Sequence, residues 1–385
     1  LAHIEVAQDI ASEAFVSALE TWPHRGIPDN PRAWLYAVAK NKARNYFQRQ
    51  HTFAEKIRPQ LMQSSVEEFD FDLSEENISD SLLKMMFAIC HPTLPPEAQI
   101  CLSLRILCGF GIEEIANALL SKKDTVNKRL FRAKEKLRSE NIAIEFPAGA
   151  DVENRLATVL TTLYLLFNEG YYSESHDEVI REDLCLEAMR LTHLLAEHAL
   201  TARPAVKALL ALMCFHASRL KARKSESGAL ILYQDQDESL WNQELIVRGA
   251  DYFRQAAQGD QLSRYHLEAG IAYWHTIKED TPEKWENILQ LYNRLLQLAY
   301  SPVAALNRTY ALAKANGKRA AIPEAEKLQL SNNQYYYVLL GELYHGVDKE
   351  RAKMYLEKAL VLAKTTRERQ LIRSRIADVS GEFGD

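Results

Sequence analysis

Apolar residues recur at helical spacing along most of the chain. The clearest case is 112–138, where two amphipathic patterns flank a short break at Leu120-Ser121-Lys122. The first puts Ile115, Ala116 and Leu119 on one face. The second carries Val126, Leu130, Ala133 and Leu137 at i, i+4, i+7 and i+11, and that stripe is expected to pack on the first helix. Near the start, Ile4, Ala7, Ala11, Ala14, Phe15, Ala18 and Leu19 mark one face of a helix that Trp22-Pro23 is expected to stop. Asn30 is a suitable N-cap, and Pro31 suits a first helical position because its missing N–H costs nothing there. The helix they open carries Trp34, Leu35, Val38 and Tyr46 on its packing side. A further helix is expected to end at His91-Pro92, and Pro95-Pro96 to open the next. After Asp151, amphipathic stretches follow at 152–168, 184–198, 204–220, 243–257, 262–275, 285–299, 302–316, 334–345 and 349–363. With no strand signal, the expectation is an all-α chain ending in an α-solenoid of short antiparallel helices. Leu340, Gly341, Tyr344, Ala352, Leu356 and Ala359 follow the tetratricopeptide pattern, one residue short in the turn.

Charge changes the reading of three stretches. Net charge over the 385 residues is −5, so affinity for a polyanion must come from local patches. One patch is 121–138, with eight Lys or Arg opposed by Asp124 and Glu135. Asn127, Lys128, Phe131, Arg132 and Glu135 lie opposite the apolar stripe. Two helices joined by a tight turn, the second basic, form a helix-turn-helix, although an ordinary hairpin with a solvated basic face has the same shape. Phe131 would be an exposed aromatic in either case. The second patch runs from Lys40 through Lys42, Arg44, Arg49 and Lys56 to Arg58, with Tyr36, Tyr46 and Phe47 among the cations. Cations for phosphates and rings for bases suit nucleic acid, and a solvated basic helix would look similar. The third stretch, 60–81, holds seven acids and no basic residue, as expected for a linker.

The residues Glu113-Glu114-Ile115-Ala116, then Thr125, Val126, Arg129, Leu130, Arg132, Ala133, Leu137 and Arg138, resemble region 4 of sigma-70-type RNA polymerase sigma factors. The family often has Gly in the turn where this chain has Leu120. Asp9, Ile10, Ser12, Glu13, Ala14, Phe15, Ala18 and Leu19, with the later WLYAVAKNKARNYF, resemble region 2 of extracytoplasmic function (ECF) sigma factors. The C-H-P-x-L-P-P-E-A-Q string from Cys90 resembles a subgroup with a tetratricopeptide-like C-terminal extension.

The resemblance implies a promoter-specificity subunit with bacterial RNA polymerase core (β and β′ subunits) and promoter DNA as partners. It implies −35 contacts from Lys123, Thr125, Asn127, Lys128, Phe131 and Arg132. It implies −10 contacts from Ile27, Asp29, Asn30, Trp34, Lys40 and Arg44, and polymerase contacts from Asp9, Glu13 and Phe15. The corresponding division is 1–59 region 2, 60–81 acidic linker, 82–140 region 4 and 141–385 the helical extension. Intramolecular contact of the extension with regions 2 and 4 is a further expectation, with a closed form preferred over a bracing one. The family has a helix before the point where this chain begins at Leu1, so an N-terminal piece is expected to be missing.

Catalytic motifs are absent from the sequence: there is no P-loop, GxGxxG, HExxH or GxSxG. No cofactor, no enzymatic activity and no membrane span are expected, and a cytoplasmic location is. The cysteines Cys90, Cys101, Cys108, Cys185 and Cys214 read as reduced, mostly buried thiols, with Cys90-His91 as at most half of a metal site. Glu169, His176, Asp177, Glu182 and Asp183 read as a polar, self-tied loop rather than acid–base machinery. Two other classes remain open from the residues: a helix-turn-helix regulator with a helical ligand- or partner-sensing domain, and a scaffold. The second basic-aromatic module at 34–49 argues against the former. Promoter-dependent transcription would separate the latter.

Overall fold

The computed structural model describes residues 4–43, 75–119, 121–140, 142, 146–147, 151–171, 182–223, 231, 233–259, 261–363 and 366–380. Regular structure among them is helical throughout. Two compact units divide the chain, residues 1–162 and 163–385.

In the first unit, α1 spans Ile4–Arg25 and α2 covers 31–43. Helix α1 runs through Pro23 instead of stopping there. Gly26 N–H still returns to Trp22 O at 3.0 Å, and Gly26 itself turns the chain at φ +83°. A left-handed residue without a Cβ ends the helix at no steric cost. Asn30 caps α2 as expected, its Oδ1 accepting from Ala33 N–H at 3.0 Å. The apolar face of α1 divides: Ala14 and Ala18 are buried, whereas Phe15 and Leu19 are 61% and 75% exposed. Helical period identifies an apolar face but not what covers it.

Helix α3 (Glu75–Ile89) begins inside the stretch expected to be linker, and 44–74 lie outside the described residues. Helices α4 (Pro96–Ile106), α5 (Ile112–Ala118) and α6 (Lys123–Ser139) follow. The α3–α4 turn is closed by buried Gln99, whose Nε2 donates to His91 O at 2.9 Å and Leu94 O at 2.8 Å. Phe87, Ile89, Cys101, Leu102, Ile115, Val126 and Leu137 fill the core. Helix α7 (Asp151–Tyr171) crosses from one unit into the next. Its first half buries Val152, Leu156, Val159 and Leu160.

The second unit is a succession in which each helix packs on its chain neighbour: α8 (Glu182–Glu197), α9 (Pro204–Ala217), α10 (Gln243–Ala256), α11 (Arg264–Trp274), α12 (Pro282–Leu298), α13 (Pro302–Asn316), α14 (Lys318–Lys327), α15 (Gln334–Tyr344), α16 (Lys349–Leu362) and α17 (Thr366–Ser380). Side-chain caps start several of them: Asn242, Thr281, Ser301, Asn333 and Asp348 each accept from a first-turn N–H. The α15–α16 pair is close-packed, since a Cβ on Gly341 would lie 2.6 Å from Leu356 Cγ. Helix α9 ends at Ala217, earlier than its pattern suggested, and is followed by short 3₁₀ turns. Helices α14 and α17 are rich in charged residues and carried too few apolar ones to be expected.

None of the five cysteines is in a disulfide, and Cys108 is the least buried. Cys90 Sγ lies 3.8 Å from Ser103 Oγ, and burial pushes its thiol up to about 11. That shift opposes the thiolate a metal would need.

Candidate nucleic-acid interface

Helix α6 has two chemically distinct sides. Val126, Leu130, Ala133 and Leu137 are buried, the stripe its sequence spacing requires, and they seat the helix on α4 and α5. Lys123, Asn127, Lys128, Phe131 and Arg132 are exposed, and Thr125 is half-buried. Phe131, at 68% exposed, is a large apolar ring held in solvent among cations. Burial of the stripe fixes the rotation of the helix, so the basic face points outward by default. The face carries Lys122, Lys123, Lys128, Arg132, Lys136 and Arg138, all exposed. Arg129 differs: it is half-buried and interacts with the Cys101 thiol, so it belongs to the packing side.

The connection from α4 to α6 is tied at several points. Gly109 turns the chain at φ +72°, and Arg105 Nη1 donates to Phe110 O at 2.7 Å. Glu114 Oε2 accepts from Gly111 N–H at 2.6 Å, capping α5 with a carboxylate at its positive end. Ser121 N–H returns to Ala116 O at 2.8 Å, and Lys123 Nζ reaches Glu113 Oε1 at 2.6 Å. That bridge fixes the start of α6 to the start of α5, and it engages one cation expected to face DNA. Leu120 lies outside the described residues.

In the first two helices, Ile27 and Asp29 are exposed on the loop between α1 and α2. Asn30 is exposed too, but its Oδ1 is committed to the cap. Trp34 is half-buried and packs edge-on to Trp22 at 5.5 Å between ring centroids. Lys40 is half-buried, and Arg44, Tyr46, Phe47 and Arg49 lie outside the described residues. Asp9 is exposed, whereas Glu13 Oε2 pairs with Lys42 Nζ at 3.1 Å, linking α1 to α2. Exposed Phe15, Val16 and Leu19 leave an apolar strip on α1.

Known families match this arrangement segment by segment. Sigma-70 region 2 matches residues 2–52, and sigma-70 region 4 matches 86–137. A family of unknown function (DUF6596) matches 155–257. The RNA polymerase sigma-H factor of Pseudomonas aeruginosa is 30% identical over 34% of this chain and 69% of its own length. The ECF RNA polymerase sigma-E factor of Escherichia coli K12 is 30% identical over 33% of this chain and 69% of its own. This chain belongs to the ECF sigma factors.

An uncharacterized protein, R00370, of Rhizobium meliloti is similar along nearly the full chain: 33% identical over 99% of this sigma factor and 91% of the relative. No solved structure matches. Region 4 of the sigma factor therefore contains the α4–α5–α6 unit, and region 2 contains α1 and α2. The Glu113–Lys123 bridge, the Cys101–Arg129 contact and exposed Val16 were not anticipated from sequence. The first two depend on contacts between helices, which no single-helix pattern reports.

Proposed function

We propose that this sigma factor reads the −35 promoter element with the outer face of α6. Asn127, Lys128 and Arg132 meet base edges and phosphates there, with Thr125, Lys123 and Phe131 at the margins. The observation that carries the reading is the segregation on one helix of a buried apolar stripe from an exposed basic face bearing an aromatic ring. A 17-residue helix with that face matches the dimensions of the major groove. The loop around Ile27 and Asp29, with Trp34 and Lys40, is assigned to the −10 element, where an unstacked base needs a pocket and stacking to offset its cost. Arg44 carries the same assignment from sequence alone.

Polymerase core docks on α1 through the apolar strip of Phe15, Val16 and Leu19, with Asp9 at its polar edge. The relatives named as RNA polymerase sigma factors support that partner. Glu13 is left with a bracing role towards Lys42 beside any polymerase contact. The sigma factor acts by binding, without covalent chemistry, in the cytoplasm. No described helix is long and apolar enough to cross a membrane. The helical extension is tetratricopeptide-like at α15–α16: Leu340, Gly341, Tyr344, Ala352, Leu356 and Ala359, the pattern positions, are all buried, which supports the reading. It acts in cis on regions 2 and 4.

The test is promoter binding by Lys128→Ala and Arg132→Ala over a salt series. A lost base-edge contact weakens binding by about 1–3 kcal/mol, and a lost phosphate contact lowers the salt slope by about one. Wild-type affinity and slope in both variants would show that α6 does not face DNA.

A further inference from the structure

Between α9 and α10 the chain lays Tyr233, Gln236 and Trp241 against the end of α11 and the start of α12. The Tyr233 ring is the hub. Arg219 Cζ sits 5.4 Å from its centroid and Lys284 Nζ also 5.4 Å. His275 stands edge-on at 5.2 Å, and Trp241 stacks at 6.3 Å. Both cations are buried: Arg219 is 6% exposed and Lys284 1%. Lys284 Nζ donates to Tyr233 Oη at 3.1 Å and to Ile277 O. Neither cation has a carboxylate within ion-pair distance among the described residues. The nearby acid, Asp280, is engaged by Lys314 Nζ at 2.7 Å and by Trp285 Nε1.

Four buried polar atoms of this cluster have no hydrogen-bond partner among the described residues: Arg219 Nε, Trp241 Nε1, Gln236 Oε1 and His275 Nδ1. One orphan is common in a folded protein. Four around one ring, beside two buried cations, carry a cumulative cost that a native fold retains when something satisfies them. The field is positive: burial first, then Arg219 and Lys284, pushes the His275 imidazole down to about 3. Lys284 is itself lowered, by burial foremost, against a raising contribution from Asp280.

We propose that this cluster is a binding site for a small oxyanion that also carries a hydroxyl, such as a hydrogen phosphate or hydroxycarboxylate group. Arg219, Lys284 and Trp241 supply the positive charge and N–H donors such a group requires. Gln236 Oε1 accepts from its hydroxyl. A ligand there joins Arg219, Gln236 and Trp241 to α11 and α12, so occupancy stiffens this part of the extension. The inference rests on the packing of 163–385 and does not depend on the promoter assignments.

The test uses the full chain in Hepes, with potassium phosphate and sodium lactate as probes, each against potassium chloride at equal ionic strength. Thermal melting and tryptophan fluorescence are read, since Trp241 and Trp285 border the cluster. Saturable stabilisation of about 3 °C near tenfold excess over Kd, with a matching fluorescence change, is expected for at least one probe. Phosphate favours the phosphate class of ligand and lactate the hydroxycarboxylate class. Gln236→Glu keeps the shape of the side chain and supplies an internal anion. It should raise the basal melting temperature and abolish the saturable response. Arg219→Gln should abolish the response by removing a cation. Excluded salts stabilise most folds without saturation. A non-saturable rise of equal size in wild type and Gln236→Glu, or no response to either probe, overturns the proposal.

Discussion

Burial sets the acid sensitivity of two histidines in the 163–385 unit. His275 is held down to about 3 by burial and then by Arg219 and Lys284, with Tyr233 and Trp285 edge-on to its ring. His216, against Phe167 and Tyr171, is well below its ordinary value through burial, then Arg219, Arg223 and His275. Both stay neutral when folded and take a proton when unfolded. Their contribution is therefore complete above an unfolded pKa of about 6.5 and falls as pH drops below it, for His275 until about 3, by up to about 1.4 kcal/mol per pH unit for each. Urea midpoints at pH 7.5, 6.5 and 5.5 should fall accordingly, and His275→Gln should have a shallower dependence. An equal slope in wild type and variant would mean that His275 is protonated in the fold. Glu13 and Asp9 separate in the same spirit. The Glu13–Lys42 bridge is exposed and worth at most about 1 kcal/mol, so Glu13→Gln should shift melting only slightly. Asp9 has no hydrogen-bond or ion-pair partner among the described residues, so Asp9→Lys should leave melting unchanged while weakening capture of polymerase core. A large loss of stability from Asp9→Lys would remove it from the docking face.

Elements differ in how far their sequences disclosed them. The α6 stripe was legible because Val126, Leu130, Ala133 and Leu137 keep helical register with polar residues between them, and all four are buried. The α2 cap was legible because Asn30-Pro31 has a local mechanism. On α1 the same reasoning overreached: Phe15 and Leu19 fit the apolar face yet remain in solvent, since periodicity cannot separate a core from a docking surface. Pro23 looked like a terminator because it lacks an N–H, but one lost bond in a last turn is tolerated and Gly26 does the stopping. Helices α14 and α17 escaped because charged residues dominate their sequences, and their few apolar positions are ordered by packing on neighbours. The Tyr233 cluster was invisible, since its members are spread from Arg219 to Lys284 and meet only through packing. The exposed strip on α1 gives a prediction at this scale. Phe15→Ser with Leu19→Ser removes apolar surface that contributes little to the isolated fold, so melting should hold within about 1 kcal/mol. Binding to polymerase core, measured by co-purification, should drop at least tenfold. Undiminished binding would place the docking face elsewhere.

For the whole molecule, the division between units matters most. It falls within α7, after Thr162. The first half of α7 belongs physically to the promoter-reading unit: Val152, Leu156, Val159 and Leu160 are buried, Phe146 packs on Phe87 at 4.9 Å, and Thr162 interacts with the Cys90 thiol. A chain ended at residue 150 loses that cover, and one ended at 171 keeps it. Each buried aliphatic side chain is worth about 1.5–3 kcal/mol before ordering costs. The shorter fragment should therefore be less stable by at least about 2 kcal/mol in urea. This difference also settles how regulation in cis must be tested. Loss of DNA binding on truncation at 150 would report exposed core, not removal of the extension. Truncation at 171 isolates the second effect. If the extension holds regions 2 and 4 in a closed form, the 171 fragment should bind −35 duplex and polymerase core more tightly than the full chain. An intramolecular contact acts at an effective concentration of about mM, so even a weak one produces a measurable difference. Weaker transcription by a stably folded 171 fragment would instead assign the extension a bracing role on polymerase, and identical behaviour in both assays would leave no contact in cis to explain.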